Sequence, residues 1–110
     1  MAPRRRRVIW TDHASQALDE ALEYVAQNSP DAARQLLVDC LASADSLATL
    51  SERGRAVAEA GDSTVREILV QRYRLLYEVR SAEVFILALL HGARDFTAWR
   101  RGGESDSPAG

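Results

Sequence analysis

The sequence predicts one α+β domain with the element order β-α-α-β-β-β, in which a helical hairpin packs on one face of an antiparallel sheet. The length of 110 residues suits a single domain. Apolar residues recur at helical spacing before Gly54 and at strand spacing after it. A Ser29-Pro30 pair divides the helical half, and this link is so short that the two helices must lie antiparallel.

Residues 5–10 form the first predicted strand, because this segment is short, partly β-branched and bounded by polar residues. Thr11 or Asp12 can then accept hydrogen bonds from the free amide groups at the start of a helix. One face of that helix is apolar at three- and four-residue spacing and is predicted to face the core: Ala14, Ala17, Leu18, Ala21, Leu22 and Val25.

The second helix is predicted to begin at Pro30, where the missing N–H is not needed, with Ser29 as its cap. It should end before Gly54. Cys40 lies on the apolar face of this helix, which favours a packed thiol over a nucleophile. That face comprises Ala33, Leu36, Leu37, Cys40, Leu41, Ala44, Leu47 and Ala48.

Three strands are predicted after Gly54, at residues 65–70, 73–79 and 84–90, and their short links make them an antiparallel meander. Residues 85–90 are apolar on both faces, which is typical of a strand with neighbours on both sides. The hairpin can cover only one face of the sheet, so the other should be partly open. Alternation divides the middle strand into Tyr73, Leu75, Tyr77 and Val79 on one face and Arg74, Leu76 and Glu78 on the other.

Composition limits the classes of function. Residues 1–101 are predicted to form the domain, and residues 102–110, rich in glycine, serine and acids, a disordered tail. No apolar run reaches the roughly 18 residues of a membrane span, so we expect a cytoplasmic protein. One cysteine and two histidines supply neither a disulfide nor a metal-ligand set. We therefore expect no cofactor and no metal.

Charge is distributed unevenly around a net value of −2. Residues 12–52 carry eight acids and one base, Arg34, while residues 4–7 are four successive arginines. All fourteen basic residues are arginine, which fits either coding bias or recognition of phosphates and carboxylates. The run at residues 4–7 either steers the protein toward nucleic acid or an acidic partner, or is a solvated end.

Several local strings follow one another along the chain: Trp10-Thr11-Asp12-His13-Ala14, Ser29-Pro30-Asp31-Ala32-Ala33, Gly54-Arg55-Ala56-Val57, Val65-Arg66-Glu67, Tyr73-Arg74-Leu75-Leu76-Tyr77 and His91-Gly92-Ala93-Arg94-Asp95. Together with the order of the elements, these strings resemble the RelE/ParE toxins over residues 5–96. The resemblance implies a toxin made with an antitoxin that wraps it, and one of two targets: the ribosome, where members cut messenger RNA, or DNA gyrase.

The resemblance implies a specific cation set for RNA cleavage, because the reaction needs a proton acceptor, cations for the phosphorane and a proton donor. Arg74 matches the family's strand arginine, Arg94 its later arginine, and Arg66 one of a basic pair. The other member of that pair is Glu67 or Ile68 here, and a carboxylate repels the scissile phosphate. His91 is a further candidate acid or base, since a histidine side chain can exchange a proton near neutral pH.

The terminal tyrosine of the RNA-cleaving members falls near Phe96 or Trp99 in this chain, and neither side chain can exchange a proton at neutral pH. The sequence therefore resembles the ParE branch more closely, which favours a gyrase inhibitor. A RelE-like ribosome-dependent endonuclease and an inactive antitoxin-binding module are the alternatives. The predicted target-binding residues follow the last strand: His91, Arg94, Phe96, Trp99, Arg100 and Arg101.

Several of these candidate residues could have a purely structural role instead. Arg74 can form a surface ion pair with Glu67 or Glu78, and His91 can be a hydrogen-bonded strand-end residue. Phe96 and Trp99 can fold back to cap the core. His13 should lie on the surface, and three aromatic residues should pack in the core or on the sheet rather than stack on bases: Trp10, Tyr73 and Tyr77.

Overall fold

Two helices pack on a mixed five-stranded sheet in the computed structural model, which describes residues 5–57 and 64–91. The predicted α+β class and the helical hairpin are confirmed, while the predicted tail at 102–110 lies outside the described residues. The elements are β1 (Arg7–Trp10), α1 (Asp12–Ala26), α2 (Pro30–Ser46), β2 (Arg55–Ala56), β3 (Val65–Val70), β4 (Tyr73–Val79) and β5 (Glu83–His91).

The sheet has the strand order β1-β5-β4-β3-β2. Strands β3, β4 and β5 form the predicted antiparallel meander, and β5 has the expected neighbour on each side. The sheet is not antiparallel throughout, because β1 pairs parallel with β5 and Arg7 lies opposite Glu83. Strand β2 was not predicted, since its two residues are too few to show a period.

Both helices begin at the predicted caps. The Thr11 hydroxyl accepts from the Ala14 amide at 3.2 Å, and the Ser29 hydroxyl accepts from the Ala32 amide at 3.1 Å. Thr11 also donates to the Ile86 carbonyl at 2.7 Å, which fixes the end of β1 and the start of α1 against β5. Within the described ranges, no helix is long and apolar enough to cross a membrane.

The main core lies between the helices and one face of the sheet. Tyr77 and Leu75 are fully buried in it, so the predicted alternation of β4 is confirmed. Cys40 is also fully buried, and burial raises the pKa of its thiol to about 11, as expected for a packed thiol. One core residue was predicted wrongly, because Leu41 is 42% exposed on α2.

The face of the sheet away from the helices, here called the outer face, is less open than expected. A second apolar cluster lies there around Leu76 and Ala88, both fully buried. Val57, Val65 and Leu90 complete this cluster. The chain therefore buries apolar side chains on both faces of the sheet, although its helices cover only one.

Candidate functional site

Glu67 lies at the centre of an ion cluster on the outer face, with only 3% of its side chain exposed. Its Oε2 accepts from Nε of Arg55 at 2.6 Å, and its Oε1 accepts from Nε of Arg74 at 2.5 Å. Burial raises the pKa of the carboxyl, but the hydrogen bonds and charges of the two arginines outweigh burial and hold the pKa below its ordinary value. Glu67 is therefore ionised at neutral pH.

Arg74 is tied into the sheet by this contact. Only 11% of its side chain is exposed, so the pair with Glu67 is a buried interaction and not the surface contact that the sequence suggested. Arg55 differs, because 75% of its side chain remains exposed while it holds the same carboxylate. The cluster joins β2, β3 and β4, and one buried anion compensates the buried cation of Arg74.

Arg66 is bound to backbone on the other side of the sheet. Its Nη1 donates to the Gly54 carbonyl at 2.7 Å, and the Gly54 amide donates to the Tyr77 hydroxyl at 2.9 Å. A Cβ at Gly54 would lie 2.5 Å from both the Glu67 carbonyl oxygen and the Tyr77 hydroxyl, so only glycine fits. Burial raises the pKa of Tyr77, which therefore stays protonated and serves as a structural partner.

His91 is the last residue of β5 and is exposed. It lies opposite Tyr73 in the β4–β5 register, and the two ring centroids are 5.2 Å apart with a tilt of 57°. The expected strand-end position is confirmed. His13 is exposed in the first turn of α1, also as expected, and Trp10, Tyr73 and Tyr77 pack against or within the main core.

The structure does not bring the described RNA-cleavage candidates into one site. Residues opposite each other in register share a face of the sheet, so Arg66 shares the helix-side face with Tyr77, and His91 shares it with Tyr73. Arg74 shares the outer face with Leu90, a member of the outer cluster. Arg94, the fourth candidate, lies outside the described residues.

Most of the predicted target-binding residues also lie outside the described part of the chain: Arg94, Phe96, Trp99, Arg100 and Arg101. Among the described residues, no group of three or more His, Cys, Asp or Glu side chains could hold a metal ion. The sequence pattern did not identify Glu67 as the buried centre of the ion cluster. A signal was present, because Glu67 shares its face of β3 with the apolar residues Val65 and Leu69.

Two of the surface grooves that the described residues form lie beside the helices. One, of about 620 Å³, lies between α1 and α2 over Leu22 and Leu37 and has acidic borders at Asp19 and Glu23. The other, of about 760 Å³, lies at the start of β1 beside exposed Arg5 and Arg7. Both are open concave surfaces and not enclosed cavities.

A family model and a curated relative match this chain, and a solved structure has a similar fold. The model of the family described as "ParE toxin of type II toxin-antitoxin system, parDE" matches residues 8–96. Toxin RelE2 of Caulobacter vibrioides is 36% identical over 89 residues, which cover 80% of this chain and 97% of the relative. The chromosomal ParDE toxin–antitoxin system of P. aeruginosa has a similar fold, with a TM-score of 0.64 at 20% identity over 78% of this chain and 95% of the solved one.

Proposed function

Because the chain belongs to the ParE toxin family of type II toxin–antitoxin systems, we propose that it inhibits DNA gyrase by binding and that a cognate antitoxin neutralises it. The proposed activity needs a binding surface but no catalytic group on the toxin.

The observation that supports a binding mechanism is the position of the described cations. Arg74 is held by a buried carboxylate, and Arg66 is held by the Gly54 carbonyl on the opposite face. Cleavage of RNA needs several cations around one phosphate. Bringing Arg66 and Arg74 to one phosphate would require breaking contacts on both faces of the sheet, so the RelE-like alternative is the weaker one.

We place the gyrase-binding residues in the segment 91–101. This segment follows β5, which is paired on both sides, so its first residue has a fixed position in the sheet. The sequence of the segment combines three arginines with Phe96 and Trp99. Arginine and tryptophan are the side chains that most often dominate interface energies, because each offers a large contact area with a directional polar group.

A DNA supercoiling assay with purified gyrase tests the proposal. The wild-type toxin should inhibit supercoiling, and the double variant Arg100→Glu with Arg101→Glu should lose at least about tenfold in inhibition at an unchanged melting temperature. The matched control is Arg34→Glu with Arg53→Glu, which reverses two exposed arginines of the helical half and should inhibit like the wild type. Full inhibition by the first double variant would remove these arginines from the site, and an inactive wild type would remove gyrase.

Growth arrest separates the proposal from an inactive antitoxin-binding module. Induced expression of the wild type alone should stop growth, and expression with the adjacent antitoxin gene should restore it. An inactive module would leave growth unchanged in both cultures while still co-purifying with the antitoxin. The same cultures therefore test the neutralising partner together with the activity.

A further inference from the structure

The β3–β4 turn lies at the end of the sheet where segment 91–101 begins. It consists of Gln71 and Arg72, between the last residue of β3 and the first residue of β4. Tyr73, which follows the turn, lies opposite His91 in the β4–β5 register, and their ring centroids are 5.2 Å apart. The turn is therefore close to the first residue of the segment in which we placed gyrase binding.

Gln71 adopts a backbone conformation that its residue type disfavours. Its φ is 57°, in the left-handed region where a Cβ crowds the backbone. Two-residue hairpin turns need such an angle, and glycine or asparagine usually supplies it. Here the side chain of Gln71 has a partner, because its Nε2 donates to Oδ2 of Asp39 on α2 at 2.8 Å. The turn thus combines a strained residue with a contact that ties it to a helix, and such strain is concentrated at functional sites.

An exposed apolar side chain lies next to this turn and is bordered by arginines. Leu69 is 68% exposed although it belongs to β3. It lies opposite Arg74 and shares the outer face with Glu67, which Arg55 contacts from β2. Arg72 is exposed in the turn itself. Three arginines and one carboxylate leave a net positive charge around an exposed leucine.

We infer that Leu69, Arg72 and Arg55, here called the outer corner, form a second part of the gyrase-binding surface, beside segment 91–101 and positioned by the contact between Gln71 and α2. The inference rests on the proposed function. The outer corner fits an acidic protein surface with an apolar pocket, because Leu69 stabilises a complex only where a partner removes it from water. The two arginines supply charge complementarity around that pocket.

Other occupants fit the outer corner less well. Phosphates of nucleic acid would be attracted by Arg55 and Arg72, but the Glu67 carboxylate lies beside Arg55, and a leucine side chain offers phosphate no hydrogen bond. A second copy of the chain, related by two-fold symmetry, would bring the same arginines together, and like charges across an interface are unfavourable. An acidic protein surface is the occupant that uses both the leucine and the arginines.

The arginines before β1 belong to a separate surface, at the opposite end of the sheet. Arg6 is fixed there, because its Nε donates to the Arg80 carbonyl at 2.7 Å and its Nη1 donates to the Ser51 hydroxyl at 3.1 Å. The described part of the arginine run is therefore partly built into the fold. Leu50 and Arg53 are exposed and line a groove together with Arg6, so this end of the sheet offers control positions away from the outer corner.

Supercoiling by purified gyrase tests the leucine. Leu69→Ala should inhibit at least about tenfold less well than the wild type, at an unchanged melting temperature because the side chain is exposed. Leu50→Ala makes the same change at an exposed leucine of the opposite end and should inhibit like the wild type. Equal inhibition by Leu69→Ala and the wild type overturns the inference and leaves the proposed function intact. A wild type that does not inhibit gyrase removes the proposed function, and the inference with it.

A matched pair of charge reversals tests the class of partner. Arg72→Glu should weaken gyrase inhibition about tenfold, with the loss shrinking at high salt, while Arg53→Glu should inhibit like the wild type. The affinity of the toxin alone for duplex DNA, measured by mobility shift, should be the same for Arg72→Glu and the wild type. Duplex binding that Arg72→Glu abolishes and Leu69→Ala preserves overturns the inference in favour of nucleic acid. A concentration-dependent toxin dimer that both variants dissociate overturns it in favour of a second copy.

Gln71→Gly tests whether the turn positions the outer corner. Glycine adopts a positive φ without strain, which offsets the loss of an exposed hydrogen bond, so the melting temperature should stay close to that of the wild type. Inhibition should nevertheless weaken severalfold, because the turn is no longer tied to α2. Gln35→Ala removes the other side-chain hydrogen bond to Asp39 and leaves the Gln71 contact in place, so it should inhibit like the wild type. Full inhibition by Gln71→Gly overturns the positioning role.

Discussion

Arg74 and Glu67 form a buried ion pair on the outer face of the sheet, with 11% and 3% of their side chains exposed. Removing the carboxylate takes an opposite charge and a hydrogen bond from the Arg74 cation in a site with little water, and the loss of such a buried partner is costly. We expect Glu67→Ala to lower the free energy of unfolding by about 3 kcal/mol in urea denaturation.

The control for this prediction is Arg55→Ala. Arg55 contacts the same carboxylate, but its side chain is 75% exposed, so its loss should cost less than about 1 kcal/mol. The double variant Glu67→Ala with Arg74→Ala should be less destabilised than the sum of the two single variants, because it leaves neither charge behind. Additive effects would show that the pair is not coupled.

The low pKa of Glu67 predicts a specific loss of stability in acid. The pKa of its carboxyl is lower in the folded chain than the ordinary value of 4.5, because the hydrogen bonds from Arg74 and Arg55 outweigh the effect of burial. Its contribution is therefore complete above the unfolded pKa and disappears as the pH falls through the lower folded one. Asp39 acts in the same direction, since hydrogen bonds from Gln71 and Gln35 lower its pKa as well.

Urea denaturation of the wild type, Glu67→Gln and Asp39→Asn at a series of pH values separates the two carboxyls. The difference in unfolding free energy between the wild type and Glu67→Gln should shrink as the pH falls below about 4.5. The unfolding free energy of Asp39→Asn should still fall in acid, because the ionised Glu67 carboxyl is still present in this variant. Parallel curves for the wild type and Glu67→Gln would contradict the assignment.

Gly54 is predicted to tolerate no side chain. Gly54→Ala forces a Cβ to within 2.5 Å of the Glu67 carbonyl oxygen and the Tyr77 hydroxyl, so β2 must shift away from β3. Tyr77→Phe instead removes the acceptor of the buried Gly54 amide, at a cost of about 1 to 3 kcal/mol. We expect thermal unfolding to show a larger loss for Gly54→Ala.

Combining the two changes distinguishes the cause. Tyr77→Phe removes the hydroxyl, but the backbone oxygen of Glu67 stays in place, so the double variant should be no more stable than Gly54→Ala alone. Recovery of stability in the double variant would mean that the Tyr77 hydroxyl is the only obstacle at this position.

Local features of this fold could be predicted from the sequence, because their causes lie within a few residues. The Thr11 and Ser29 caps accept from amides three residues later, and the faces of β4 follow from simple alternation. The parallel pairing of β1 with β5 was not predictable in this way. It pairs Arg7 with Glu83, and both helices and strands β2 to β4 lie between these two residues in the sequence. No local pattern indicates so distant a contact.

The candidate site could likewise be predicted only where its features depend on neighbouring residues in the sequence. Alternation in β4 already placed Arg74 on the face opposite Tyr77. What the sequence did not provide was the register that sets Arg66 beside Tyr77, and hence the separation of Arg66 from Arg74. The burial of Glu67 depends likewise on Arg55 and Arg74, which reach it from two other strands.

Messenger RNA cleavage is the activity that the arrangement of arginines disfavours, and we predict that the purified toxin leaves messenger RNA intact, free or on translating ribosomes. Nε of Arg74 donates to the Glu67 carboxylate, and this negative charge repels phosphate. Arg66 and His91 lie on the other face of the sheet. Primer extension on programmed ribosomes should show no codon-positioned cuts.

The informative variant is Glu67→Gln, which removes the negative charge beside Arg74 and keeps a side chain of the same size. If the carboxylate alone suppresses an otherwise complete site, this variant will cut messenger RNA. We expect it to remain inactive, because the separation of the cations across the sheet persists. Codon-positioned cuts by the wild type that disappear in Arg74→Ala would instead establish the ribosome as the target.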